Sequence, residues 1–181
     1  MNVLGLDPGL DGAAVLLVVD QRPGAVAYAP RPPLVFSDYT IPAPTRGRQY
    51  NHARLAVAIR EMARFGPEPL CVLEKGRGQP GASSSSLAIG IGFGLLLGII
   101  AANGWRVVMV EPSVWHRALF GHGAKGEPKD RAAAYVRDRL PALDCTLGGR
   151  FRKPHPGIVD AAALAAYGMT KSPAEAGAVA C

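Results

Sequence analysis

The sequence predicts a single α/β domain built on a mixed five-stranded sheet, three antiparallel strands followed by two parallel ones, with helices flanking it. Three observations carry this expectation. Two apolar runs near the N-terminus bracket a turn-rich segment, two later apolar runs each follow a helix-length stretch, and no internal repeat or compositional break divides the 181 residues. A chain of this length buries a working core without disulfides or a structural metal.

Residues 2–7, NVLGLD, and Ala13 to Val19 read as a hairpin across Pro8-Gly9-Leu10-Asp11-Gly12. Residues 21–33, rich in Pro and Gly, read as a loop, Leu34 to Ile41 as the third strand, and the segment with Pro42, Pro44, Arg46 and Arg48 as another loop. Between Asn51 and Phe65 the apolar residues Leu55, Ile59 and Met62 recur at helical spacing, ahead of the strand Leu70-Cys71-Val72-Leu73 that ends in Glu74. Residues 84–102 form an apolar helix. Its continuous apolar or glycine part, Leu87 to Ala102, is 16 residues, short of the roughly 20 that span a bilayer, so a buried helix and no membrane span are expected. The strand Arg106 to Val110 follows, Pro112 opens a short helix, 129–139 a further one, and 158–168 the last. Residues 1–168 are thus expected to form one domain and 169–181 a disordered tail.

A net charge of +6 and a basic isoelectric point favour a polyanionic partner such as nucleic acid. Cys71, Cys145 and Cys181 are too few and too widely spaced for a disulfide framework or a zinc site. Asp7 interrupts the first apolar run too early for a signal peptide. A reducing, cytoplasmic setting is expected.

Three acids stand where acids are costly. Asp7 and Glu74 each end an apolar strand, and Asp160 is the sole charge in an alanine- and leucine-rich helix. Buried carboxylates are paired, hydrogen-bonded or metal-bound, and a cluster of them resists ionising unless a cation neutralises it. An all-oxygen donor set favours Mg²⁺, with Mn²⁺ as substitute, over zinc. Each acid alone also has a structural reading: Asp7 as a turn starter, Glu74 as a solvated strand end, Asp160 as a first-turn acid favoured by the helix dipole. Their joint placement at strand, strand and helix favours convergence.

The runs Leu4-Gly5-Leu6-Asp7-Pro8-Gly9, Val72-Leu73-Glu74, Gly92-Phe93-Gly94, Pro112-Ser113-Val114-Trp115-His116, Lys129-Asp130-Arg131 and Gly157 to Gly168 (GIVDAAALAAYG) occur in the order seen in RuvC-like Holliday-junction resolvases of the RNase H-like superfamily. The chain resembles most closely the branch that includes the chloroplast resolvase and phage relatives, over residues 2 to 168. The resemblance implies an RNase H-like sheet bearing a four-residue site for two Mg²⁺ or Mn²⁺ ions, and a homodimer that nicks a four-way junction symmetrically, leaving 5′-phosphate and 3′-hydroxyl ends. By position Asp7, Glu74 and Asp160 match three of the four residues. At the fourth, five positions before the helix acid, this chain departs from the pattern with His155. A neutral imidazole there would ligate an ion or help deprotonate water, provided Pro154 to Gly157 form a pre-helical turn.

Basic residues cluster after the acids: Lys75 and Arg77, Lys129 and Arg131, then Arg150, Arg152 and Lys153. They are expected to hold DNA phosphates, the alternative being ordinary solvated charges. The glycine-rich segment 75–81 lacks an aromatic residue that could wedge a junction. Gly90, Gly94 and Gly98 line one face of the apolar helix, either for a twofold dimer contact or for packing on the chain's own sheet. Two other activities share parts of this pattern: an RNase H-like nuclease acting on other branched DNA or RNA, and a catalytically inactive junction-binding protein. Asp-Pro-Gly also opens actin-like ATPases, but the chain is short for their paired domains.

Overall fold

The computed structural model describes residues 2–20, 27–44, 47–64, 66–76, 83–123 and 126–171. Strands β1 (Val3–Leu6) and β2 (Ala13–Asp20) pair antiparallel, with Val3 opposite Leu17 and Leu6 opposite Ala14. Strand β3 (Ala27–Pro30) extends the sheet antiparallel to β2. A two-residue strand β4 (Leu34–Val35) pairs with the start of β2. On the other side of β1, β7 (Leu70–Glu74) and β8 (Arg106–Val110) run parallel to it. The main order is β3-β2-β1-β7-β8, the mixed sheet of antiparallel then parallel strands that the sequence predicts.

The third strand is displaced from its expected position. Residues 34–41 do not form one strand: after β4 the chain turns through a 3-10 helix, Phe36–Tyr39, and leaves as β5 (Thr40–Pro42), which pairs with β6 (Arg48–Tyr50) in a separate two-stranded sheet. Phe36 is fully buried, and the polar residues that follow it break the extension. The Thr40 hydroxyl donates to the Ser37 carbonyl at 2.9 Å, a local bond that competes with sheet pairing. The strand at Ala27–Pro30 instead occupies a stretch that composition marks as loop; it tolerates Pro30 because it lies at the sheet edge, where a missing N–H costs no ladder bond.

Among the described residues, five α-helices cover both faces. Helix α1 (His52–Ala63) is capped by the Asn51 side chain, which accepts from the Arg54 N–H, and buries Leu55, Ile59 and Met62 at one-turn spacing. With α2 (Ser83–Ala102) it packs on Leu4, Leu6, Leu16, Cys71 and Leu73. Among the described residues no helix is long and apolar enough to cross a membrane. Helices α3 (Pro112–Phe120), α4 (Pro128–Arg139) and α5 (Pro156–Met169) cover the opposite face, against Val3, Val15, Leu17 and Val72.

Nearly every residue of α5 is buried, and each large apolar side chain hidden there stabilises the fold by roughly 2 kcal/mol. Gly5 makes the close seating possible: a Cβ at that position would run into the Ala161 carbonyl and the Ala165 amide. The helix begins two residues earlier than expected because Pro156, at its first position, is preset for helical φ. It also ends one residue later, at Met169, and Thr170 and Lys171 donate backbone bonds to Tyr167 and Gly168. Ordered structure therefore runs past residue 168, where the tail was expected to start; residues 172–181 of that tail, with Cys181, lie outside the described residues.

Candidate active site

Side chains alternate across a strand, and this parity selects the acids. On β1, Val3 and Gly5 face α5, so Asp7, the next residue of that parity, follows them; on β7, Leu70 and Val72 face α5, and Glu74 follows. Leu6 pairs with Leu73 in parallel register, so Asp7 and Glu74 leave neighbouring strand ends toward one face. Asp160 immediately precedes Ala161, whose carbonyl lies over Gly5. The three acids thus come from two adjacent strands and the helix laid across them.

Their electrostatics register the convergence. Burial pushes Asp7 up to about 6, against a hydrogen bond from the Gly9 amide and the positive charge of Lys129, both of which favour ionisation. Burial, reinforced by the charges of Asp7 and Asp160, pushes Glu74 up to about 7. Asp160 is likewise raised to about 7 by burial and by Asp7, with Lys129 opposing. Among the described residues, no three His, Cys, Asp or Glu side chains stand close enough to hold an ion as they are placed. The carboxylates are nevertheless near enough to feel one another's charge.

The donor set is nevertheless suited to a hard divalent cation: all three donors are carboxylate oxygens, largely buried and destabilised as free anions. Trp115, on α3, gives Glu74 a direct partner, its indole N–H donating to Oε2 at 2.7 Å. In the sequence Trp115 stands in the Pro112 to His116 motif with no role of its own; a tryptophan one turn into a helix that starts where β8 ends is the available signal.

His155 belongs to a different neighbourhood. It is the N-cap of α5, not part of a free pre-helical turn, because Pro156 and Gly157 already lie within the helix. Five residues at 3.6 per turn put it roughly 140° around the axis from Asp160. Its buried ring packs on Phe151 with centroids 4.6 Å apart. Burial lowers its proton affinity, and the charges acting on it are those of Asp11, Arg150 and Asp38. The structure thus places Asp7, Glu74 and Asp160 within electrostatic reach of one another and couples His155 to another set.

The expected phosphate-binding residues also divide. Lys129, in the first turn of α4, is exposed, and its charge reaches both Asp7 and Asp160. Lys75, exposed, follows Glu74 directly, its amide anchored to the Val110 carbonyl at 2.8 Å. Arg152 and Lys153 are exposed on the loop before α5. Arg131 is half-buried, its guanidinium 5.6 Å from the centre of the Phe120 ring. Arg150 is engaged by both oxygens of Asp38, at 2.7 and 2.6 Å, and closes a contact across 112 residues of sequence. Arg77 and most of the glycine-rich segment lie outside the described residues.

On α2, Gly90, Gly94 and Gly98 are exposed, and a Cβ at any of them would meet no described residue within 4 Å. They therefore do not serve packing on the chain's own sheet. Leu87 and Ile91 beside them are 65% and 49% exposed, an apolar strip uncovered in the single chain.

No protein-family model and no curated protein matches the sequence. Solved structures match across nearly the whole chain. Thermus thermophilus RuvC is similar at a TM-score of 0.60 and 22% identity, covering 92% of each chain. T. thermophilus RuvC in complex with a Holliday junction substrate is similar at 0.60 and 20%, again over 92% of each. The fowlpox virus Holliday junction resolvase is similar at 0.52 and 13%, over 94% of this chain and 98% of that one. The fold is RNase H-like. Within that class it is the RuvC-type arrangement of mixed sheet and flanking helices.

Proposed function

We propose that this protein is a structure-selective endonuclease that resolves four-way DNA junctions by paired symmetric nicks. The observation that supports it most is the placement of Asp7, Glu74 and Asp160 within electrostatic reach of one another at one end of a RuvC-type sheet, each carboxyl raised toward neutral pH. Bound at these carboxylates, two Mg²⁺ or Mn²⁺ ions would supply an activated water and charge stabilisation at the leaving oxygen of a phosphodiester. The chain's own part is to hold the anionic donors together, exclude bulk water around them, and steer phosphate toward them with Lys129. Lys75, Arg77, Arg131, Arg152 and Lys153 are proposed as further DNA contacts; of these, the exposed Lys75, Arg152 and Lys153 are the better placed, and Arg131 acts partly through its packing on Phe120.

A likeness to a RuvC solved with a Holliday junction supports branched DNA as the ligand. The exposed strip Leu87, Gly90, Ile91, Gly94 and Gly98 supports a homodimer. A twofold dimer presents two identical sites to two strands of a nearly twofold junction.

The test is cleavage of a mobile four-way junction with mapped cut sites, beside flap, linear duplex and RNA–DNA hybrid substrates, in Mg²⁺ and in Mn²⁺. Symmetric paired nicks in the junction, abolished in Glu74→Gln and Asp160→Asn while junction binding persists, are the expected result. Preferred cutting of the hybrid or the flap would assign another substrate. Tight junction binding without cutting in either metal would leave a junction-binding protein, the reading that the histidine at position 155 favours.

A further inference from the structure

We propose that Trp115 is a positioning residue for the ion site, fixing one carboxylate oxygen of Glu74 through its indole N–H so that the other is presented to a divalent cation. The inference rests on the nuclease reading of Asp7, Glu74 and Asp160 and adds to it a residue from outside the acidic set.

Trp115 is 1% exposed. A buried indole N–H needs an acceptor, and this one donates to Glu74 Oε2 at 2.7 Å across 41 residues of sequence. Bonds from a neutral donor to an ionised carboxylate are short and strong, and this bond favours the charged form of Glu74 against the burial that disfavours it.

The donor is delivered by a stiff chain of elements. Glu74 pairs with Val110 at the end of β8, and the Lys75 amide donates to the Val110 carbonyl at 2.8 Å. Two residues later α3 begins at Pro112, and Trp115 lies one turn along it. The indole is held in turn by Phe120, with centroids 5.9 Å apart, and by His116 at 3.9 Å, both edge-on. Backbone and side chain of the β7 end are therefore both gripped from β8 and α3. A glutamate has three rotatable side-chain bonds; with Oε2 held, the position of Oε1 is largely settled before any ion arrives.

The experiment measures Mn²⁺ alone, by electron paramagnetic resonance of the free ion, on the full chain without DNA. Trp115→Phe is expected to raise the Mn²⁺ dissociation constant about tenfold, the size of one hydrogen bond to a charged group. It is also expected to lower kcat on the junction while KM stays unchanged. Trp105 is the other tryptophan, so in a Trp105→Phe background position 115 alone can carry an analogue. Benzothienylalanine keeps the ring shape without the N–H and should reproduce the weakening, whereas 7-azatryptophan keeps the N–H and should restore affinity. Equal Mn²⁺ affinity for tryptophan and benzothienylalanine would overturn the role of Trp115 and leave the nuclease reading intact. The predicted affinity differences in a protein that cuts no junction would do the reverse. A wild-type chain that binds no Mn²⁺ would overturn both.

Discussion

Replacing Asp7 with asparagine should stabilise the metal-free protein while abolishing cleavage. Asp7 rises from its ordinary 3.8 to about 6, mainly through burial. At 1.36 kcal/mol for each tenfold change in acidity, keeping it ionised at pH 8 costs the fold about 3 kcal/mol. The folded state binds the proton more tightly than the unfolded one, so this stability is fully present below about pH 4 and is lost as pH rises through about 6. Asparagine keeps the shape, can still accept from the Gly9 amide, and carries no charge; it also removes the repulsion that Asp7 exerts on Glu74 and Asp160. For a chain of this size about 3 kcal/mol corresponds to roughly 6–12 °C in Tm. Calorimetry in EDTA should show Asp7→Asn melting higher than wild type at pH 8 and level with it near pH 4. Saturating Mg²⁺ should narrow the gap, because only the intact site gains ion-binding energy. A variant that melts no higher than wild type at pH 8 without metal would refute the claim that Asp7 is held there at a cost.

Lys129→Ala should weaken junction binding and flatten the dependence of log affinity on log salt by about one phosphate contact; an unchanged slope in a filter-binding titration would return Lys129 to the solvated surface. Ile91→Asp changes a half-exposed residue, so the variant should still fold and melt cooperatively, losing only the stability that dimerisation adds, and sedimentation is expected to show monomers where the wild type is expected to dimerise; dimers that persist would exclude the α2 strip as the interface. His155→Ala should lower Tm by several degrees through lost packing on Phe151, with a cleavage rate less than about tenfold slower, under about 1.4 kcal/mol of barrier. A greater loss of rate at unchanged Tm would instead make His155 a ligand.

The parallel half of the fold was readable because its signals are redundant. Leu70 to Glu74 and Arg106 to Val110 are apolar runs with helices on either side, and both appear as strands within one residue of the expected bounds. The antiparallel edge was not, because Leu34 to Ile41 looks extended by composition, whereas Phe36 is drawn into the core and Asp38 is tied to Arg150, contacts made by residues distant in sequence. The same contrast runs through the site. Asp7, Glu74 and Asp160 advertise themselves as charges in apolar surroundings. His155 is marked in the sequence only by its offset of five from Asp160; Pro156 starts the helix early and settles its surroundings, a local effect that this offset does not reveal. Trp115 is invisible as a functional residue until the parallel register lays the end of β8 beside Glu74.

Because Gly5 lets the main chain of α5 rest directly on that of β1, the spacing between Asp160 and Asp7 is ruled by two backbones in contact. Side-chain volumes elsewhere in the core can drift and repack without altering it. A chain built this way can change most of its residues and keep its fold, as a shared architecture at 22% identity illustrates. The converse is a single vulnerable position: one added methyl at residue 5 would lift the helix and carry the acid away with it.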